Sequence, residues 1–247
     1  MSGESNAKDM SFWEHVDELR STIVHSFVAI ALMSVLAFVF KDAIFSVVFA
    51  PCHSDFFLYK LLDWKLDLDL INIELAAQFF VHVKVALSLG VIASVPYIIW
   101  ELWRFLSPAL YDSETKAVKN VFLFSSLFFY LGAATSYFFV LPVCLRFFAD
   151  YSVSSDIVNT VSLNSYISMF LSTILLIALV FEFPLAVIAL NRMGILGKDT
   201  LKKGRKYAIV VMLVIAAIIT PSDPFSMLVL AIPLYALYEI SILFSKK

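Results

Sequence analysis

The chain alternates long apolar runs with short polar breaks. Six runs stand out: Ile23 to Phe40, closed by Lys41-Asp42; Ala76 to Trp103; Val118 to Val140; Leu163 to Ala189; Tyr207 to Thr220; and, after TPSDP, Phe225 to Phe244. Apolar runs near 20 residues predict helices that cross a hydrocarbon core of about 30 Å. The fifth run is short, covering only about 21 Å at about 1.5 Å per residue, so its helix must thin the bilayer, snorkel its ends or lean on neighbours. Between the first two runs, Asp42 to Asn72 carries Pro51, His53, Lys60, Asp63, Lys65, Asp67 and Asp69 and reads as a mixed loop. The predicted architecture is all-α: one polytopic domain of six transmembrane helices.

Ahead of the first run stands FWEHVDELR, Phe12 to Arg20. At 100° per residue, Phe12, Val16, Leu19 and Ile23 share one face, and Glu14, Asp17 and Glu18 share the opposite one. This predicts an interfacial amphipathic helix over about residues 11–21, leading into the first span. Such helices usually carry lysine and arginine on the polar face, because the cytoplasmic leaflet is anionic. This one carries carboxylates. Two readings stay open: a solvated helix start, where acids suit the helix dipole, or a docking site for a cationic ligand.

Composition supports the membrane reading, with 61% hydrophobic and 15% charged residues and a mean hydropathy of +0.90. A soluble domain carries about 25% charged residues. The net charge of −2 says nothing about nucleic acid, but no basic domain or stripe appears, so no nucleic-acid partner is expected. Most of the 18 lysines and arginines, above all those of GKDTLKKGRKY, fall on one side of the predicted spans. Lys41, Lys60, Lys65 and Arg146 fall on the other, and Lys84 lies within a helix. The positive-inside rule then places both termini in the cytoplasm. The first 21 residues are polar and acidic, so no cleavable signal peptide or transit peptide is expected, which favours a bacterial cell membrane. Cys52 and Cys144 both fall on the outer side, where a disulfide and two thiols are both open readings. The four histidines have no metal-ligand spacing, and HExxH, GxSxG and phosphate-loop patterns are absent. No enzyme, metal or cofactor is expected.

Three further positions carry chemistry. Glu114, in the loop ELWRFLSPALYDSETKAVK, is a dipole-matched acid at a helix start, or a second carboxylate on the same membrane face as Glu18. Two such acids, with Phe105 nearby, suit a pair of guanidinium groups. Glu182 interrupts LLIALVFEFPLAVIAL beside Pro184, which permits a kink. An acid at that depth costs about 2.5–3.5 kcal/mol on insertion scales for Asp, so a functional role is the default and a hydrogen-bonded structural acid the alternative.

HVDELR before the first span, WRFLSPALYDSETK after the second, FEFPLAV in the fourth and TPSDPFSMLVLAIPLYALYEI across the last two resemble TatC, the signal-peptide receptor of the twin-arginine protein translocase, in order and spacing. The resemblance runs from about Phe12 to Phe244. It implies a cupped, concave bundle with both termini cytoplasmic and the last two helices short. It implies that Glu18 and Glu114 contact the twin arginines, that Arg20 organises that site or anchors the helix, and that Phe105 and Pro108 belong to a segment handling the signal peptide. It further implies that Glu182, with Pro184, lines the concave face toward the single-span partners TatA and TatB. Thr220, Pro221 and Asp223 match the short outer turn between the last two helices, and Lys84 matches a family lysine. Thr22 stands where many relatives have a second basic residue, and Met227 where many have a glutamine. The function implied is a homo-oligomeric receptor and scaffold in the inner membrane, exporting folded proteins on the proton-motive force. A small ion-coupled secondary transporter using Glu182 and Lys84 is the competing reading, although no convincing internal repeat is visible.

Overall fold

The computed structural model describes residues 12–109, 112–154, 159–192, 196–219 and 224–245. Its first helix, α1 (Phe12–Val39), runs unbroken through both the acidic stretch and the first apolar run. The amphipathic segment is therefore the opening turns of the first span. Val16, Leu19 and Ile23 are exposed along it. Only 11% of the apolar window of α1 is buried, against 44% for residues Leu163–Asn191, so α1 is peripheral and the latter segment central.

The stretch expected as a mixed loop, 42–72, is folded. After a break at Phe40 come α2 (Lys41–Phe49), a single 3₁₀ turn (Ala50–Cys52) and α3 (Phe57–Leu62), which ends on Asp63 in the left-handed conformation with φ of 51°. Its apolar residues were too scattered in sequence to read as an element, but Val48, Cys52, Phe56, Leu58, Tyr59 and Leu66 meet in one buried cluster with Val81, Leu141, Tyr166 and Phe170. The Tyr59 hydroxyl, fully buried, donates to the Pro51 carbonyl at 3.0 Å. A two-residue strand β1 (Leu70–Ile71) pairs in parallel with β2 (Val161–Ser162). This cap closes the end of the bundle opposite the start of α1.

The second span is α4 (Ala77–Leu106), which contains Pro96 and packs along α1. Their crossing is close: a Cβ on Gly90 would lie 2.0 Å from Ser34 Oγ and 2.8 Å from the Ser34 backbone nitrogen. The third span, α5 (Asp112–Thr135), continues through a π-helical turn at Ser136–Val140 into α6 (Leu141–Asp150), ten residues beyond the expected end. Pro142 stands just past that turn and has no amide hydrogen to donate, and a widened turn is a common way to absorb such a defect. The fourth run splits into α7 (Leu163–Val180) and α8 (Phe183–Arg192), with the break at Phe181-Glu182 ahead of Pro184. Gly132 permits α5 to touch this break, since a Cβ there would lie 2.7 Å from Phe181.

After the short α9 (Lys198–Lys203), the last two runs form α10 (Arg205–Ile219) and α11 (Pro224–Phe244). Among the described residues, four helical stretches are long and apolar enough to cross a membrane: Trp13–Val39, Ala77–Leu106, Val121–Asp150 and Leu163–Asn191. At 15 residues, α10 spans only about 22 Å. A second core joins Ile177, Phe181 and Val187 to Met212 and Ala216 of α10 and Leu230, Leu234 and Tyr238 of α11.

Candidate functional site

The start of α1 and the end of α4 lie together at the end of the bundle away from the cap. His15 stacks on Phe105, with ring centroids 4.3 Å apart and planes 20° from parallel. One turn on, Glu18 Oε1 lies 3.9 Å from Arg104 Nε, its side chain 22% exposed. The next partner is Glu101, which is 1% exposed. Its Oε1 accepts from the Tyr97 hydroxyl at 2.9 Å and lies 3.5 Å from His25 Nδ1 and 3.7 Å from Arg104 Nη1. Its Oε2 is buried and has no hydrogen-bond partner among the described residues. Helical spacing explains the arrangement: Glu18, Thr22 and His25 share one face of α1, and Tyr97, Glu101 and Arg104 share the facing side of α4. Thr22, where a second basic residue was the family expectation, is buried between the two acids' levels.

The other expected residues divide. Arg20 is exposed and makes none of the ion pairs found at this end among the described residues. Glu114 lies in the first turns of α5, and its side chain is outside the described residues. Thr220, Pro221 and Asp223 lie outside the described residues altogether.

At mid-bundle, Glu182 sits at the α7–α8 break. Ser125 of α5 donates its hydroxyl to Glu182 Oε2, while Oε1 is buried and meets no hydrogen-bond partner by distance and angle among the described residues. Glu182 also borders an apolar cavity of about 310 Å³, lined by Leu179, Phe183, Val211, Met212 and Leu234 among others. Pro184 is buried beside it. Met227, two turns before Leu234 on α11, packs on the second core and does not line this cavity. Lys84 is separate: its Nζ donates to Ser168 Oγ at 3.1 Å, and Ser168 stands about 21 Å of helical rise before Glu182. The two groups of the transporter reading are thus not brought together.

The family model of TatC, the Sec-independent protein translocase protein, matches residues 14–233. The chain belongs to the TatC family. It is 33% identical to the TatC protein of Blattabacterium sp. subsp. Periplaneta americana over 99% of this chain and 97% of that protein. With TatC of Escherichia coli strain K12 it shares 33% identity over 94% of this chain and 86% of that protein. A crystal structure of the twin-arginine translocase receptor TatC superimposes with a TM-score of 0.77 at 34% identity, covering 94% of this chain and 97% of that one. A second, in DDM, gives 0.80 over 95% and 100%. As a TatC protein the chain is a multi-pass membrane component of a protein translocase, a transport subunit rather than a catalyst.

Reading the sequence overlooked Glu101, Tyr97, His15, His25 and Ser125. A signal existed for the first: an acid in the last turns of an apolar helix, four residues after Tyr97 and three before Arg104, has intrahelical partners at contact spacing. Ser125 had none, because its partner lies 57 residues away.

Proposed function

We propose that this chain is the core receptor and scaffold subunit of a twin-arginine translocation system in the bacterial inner membrane. It crosses six times, with α10 and α11 as short spans and both termini in the cytoplasm. Folded passengers present twin-arginine signal peptides to the cytoplasmic face, where Glu18 and Glu114 take the two guanidinium groups. Arg20 and Phe105 shape the same site. The reading is supported chiefly by one juxtaposition: the His15–Phe105 stack and the Glu18–Arg104 contact hold the acidic turn of α1 against the end of α4, from which the chain leads within a few residues to Glu114. Carboxylates that are partly withdrawn from water suit arginine above lysine, because the planar guanidinium presents paired donors where an ammonium is a point charge.

The apolar part of the signal peptide then lies along a concave face around Glu182 and Pro184. There, with Met227 and the outer turn Thr220-Pro221-Asp223, helices of TatA- and TatB-type partners assemble with further copies of this chain, and the proton-motive force drives export. The burial of a hydrogen-bonded carboxyl at a helix break supports Glu182 as the polar contact.

The decisive experiment places photoreactive probes at positions 18 and 114 and offers a signal peptide bearing RR beside its KK twin. Crosslinks formed with RR and lost with KK are the expected result. Equal labelling, or none in membranes holding folded protein, would remove the receptor role.

A further inference from the structure

Beyond the contact that holds α1 against α4, Arg104 stands between two acids, Glu18 and the buried Glu101. We infer that Arg104 is a resident guanidinium occupying Glu18 while no peptide is bound, and that Glu101 receives it when a peptide arginine takes its place. The inference rests on Glu18 being a receptor carboxylate.

The geometry is that of a group shared between two acids. Arg104 Nε stands 3.9 Å from Glu18 and Nη1 3.7 Å from Glu101, both longer than a charge-assisted hydrogen bond of about 2.7–2.9 Å. Neither contact is completed. Arg104 is 45% exposed and Glu18 22%, so both are within reach of a ligand arriving from solvent.

Glu101 is built differently. Its side chain is 1% exposed and held in place by the Tyr97 hydroxyl on Oε1. Its Oε2 is buried and has no partner among the described residues, and a buried acceptor left without a donor is costly. A guanidinium fork closing on Glu101 would take both oxygens at once, which an ammonium cannot do. Movement of Arg104 by about 1 Å toward Glu101 brings its nitrogen to hydrogen-bond distance. In the exchange, a peptide guanidinium replaces Arg104 at Glu18 as Arg104 completes its pair with Glu101, so no carboxylate is left bare. The device also favours arginine over lysine. A ligand must displace a guanidinium to bind, and a single ammonium is the weaker competitor for a carboxylate able to bind two donors.

The test measures binding of a fluorescent RR peptide and its KK twin to the full chain in phospholipid nanodiscs. Four forms are compared: the unmodified protein, Arg104→Ala, Glu101→Gln and the double variant, each checked for a cooperative thermal transition. Arg104→Ala is expected to bind RR about two- to fivefold tighter, the size of a partly exposed charge pair, and to discriminate less against KK. Glu101→Gln is expected to weaken RR binding by a similar factor, because Arg104 then stays on Glu18, and the double variant to bind like Arg104→Ala. An Arg104→Ala protein that binds RR no tighter, or a Glu101→Gln deficit that persists in the double variant, overturns the exchange while leaving the receptor reading in place. Should Glu101→Gln fail to fold, the Arg104→Ala arm decides alone. Equal affinity of the unmodified protein for RR and KK removes the receptor reading and this inference together.

Discussion

The hydroxyl of Tyr130, on α5, donates a hydrogen bond at 3.1 Å to the carbonyl of Ile92, on α4. Ile92 is the residue four before Pro96, whose missing amide hydrogen would otherwise leave that carbonyl without its helical donor. The side chain of one span thus repairs the backbone of another, which is how a proline is tolerated inside a membrane helix.

It follows that Tyr130→Phe should destabilise the fold by about 1 kcal/mol, the net worth of one such bond. In Pro96→Ala the helix regains its own donor, so adding Tyr130→Phe to that background should cost clearly less. Thermal unfolding in detergent of the two single variants and the double measures the coupling, and strict additivity would count against the repair.

Gly90 lies at a close crossing of α1 and α4. An alanine there would place Cβ 2.8 Å from the Ser34 nitrogen and 2.9 Å from the Ile30 carbonyl oxygen, both backbone atoms that no rotamer change can move. Gly90→Ala should therefore cost about 1–3 kcal/mol, the range for an overfilled contact. Ser34→Ala, which removes only the hydroxyl, should restore little of it. A Gly90→Ala protein with an unchanged unfolding temperature would show that α1 can shift freely on α4.

At Glu182, the Ser125 hydroxyl is the hydrogen-bond donor to Oε2. Ser125→Ala would strand the carboxyl against apolar neighbours at a cost of about 1–3 kcal/mol. Replacing both partners, as Ser125→Ala with Glu182→Leu, should be milder than Ser125→Ala alone, since no polar group is then left unmet. Unfolding midpoints of the three proteins decide the order. If export activity of Ser125→Ala falls while stability is unchanged, the serine serves transport rather than folding.

Cys52 and Cys144 are buried thiols. Burial within the cap pushes the Cys52 thiol up from its ordinary 9.0 to about 11, and the hydrogen bond with Tyr166 offsets this in part. Because the folded value is the higher one, the contribution of this thiol to stability is complete below pH 9 and is lost as pH rises toward 11. A Cys52→Ala protein should show a flatter fall in unfolding temperature across that window than the unmodified chain. Alkylation of Cys52 in folded protein at pH 8 should also be far slower than in denaturant, as a protonated, buried thiol is a poor nucleophile.

The sequence by itself determined where the helices run and where the fourth span bends. Apolar runs and prolines act within a few residues of themselves, so α4, α10 and α11 begin and end close to their expected positions, the fourth run starts at Leu163 as expected, and the chain breaks just before Pro184. The acids of FWEHVDELR and the excess of lysine and arginine on one side are equally local. Tertiary structure alone decided which polar groups meet. Glu101 finds His25 across 76 residues of chain, Ser125 finds Glu182 across 57, and residues 42–72, polar enough to read as a loop, close over Tyr59 and Tyr166. Each of these contacts depends on the crossing of helices whose approach is set by Gly90, by Gly132 and by the bend at Pro184. In a bundle so rich in apolar residues, hydropathy shows that a helix is buried in lipid or protein but not against which neighbour, so partners become legible only once the helices are packed.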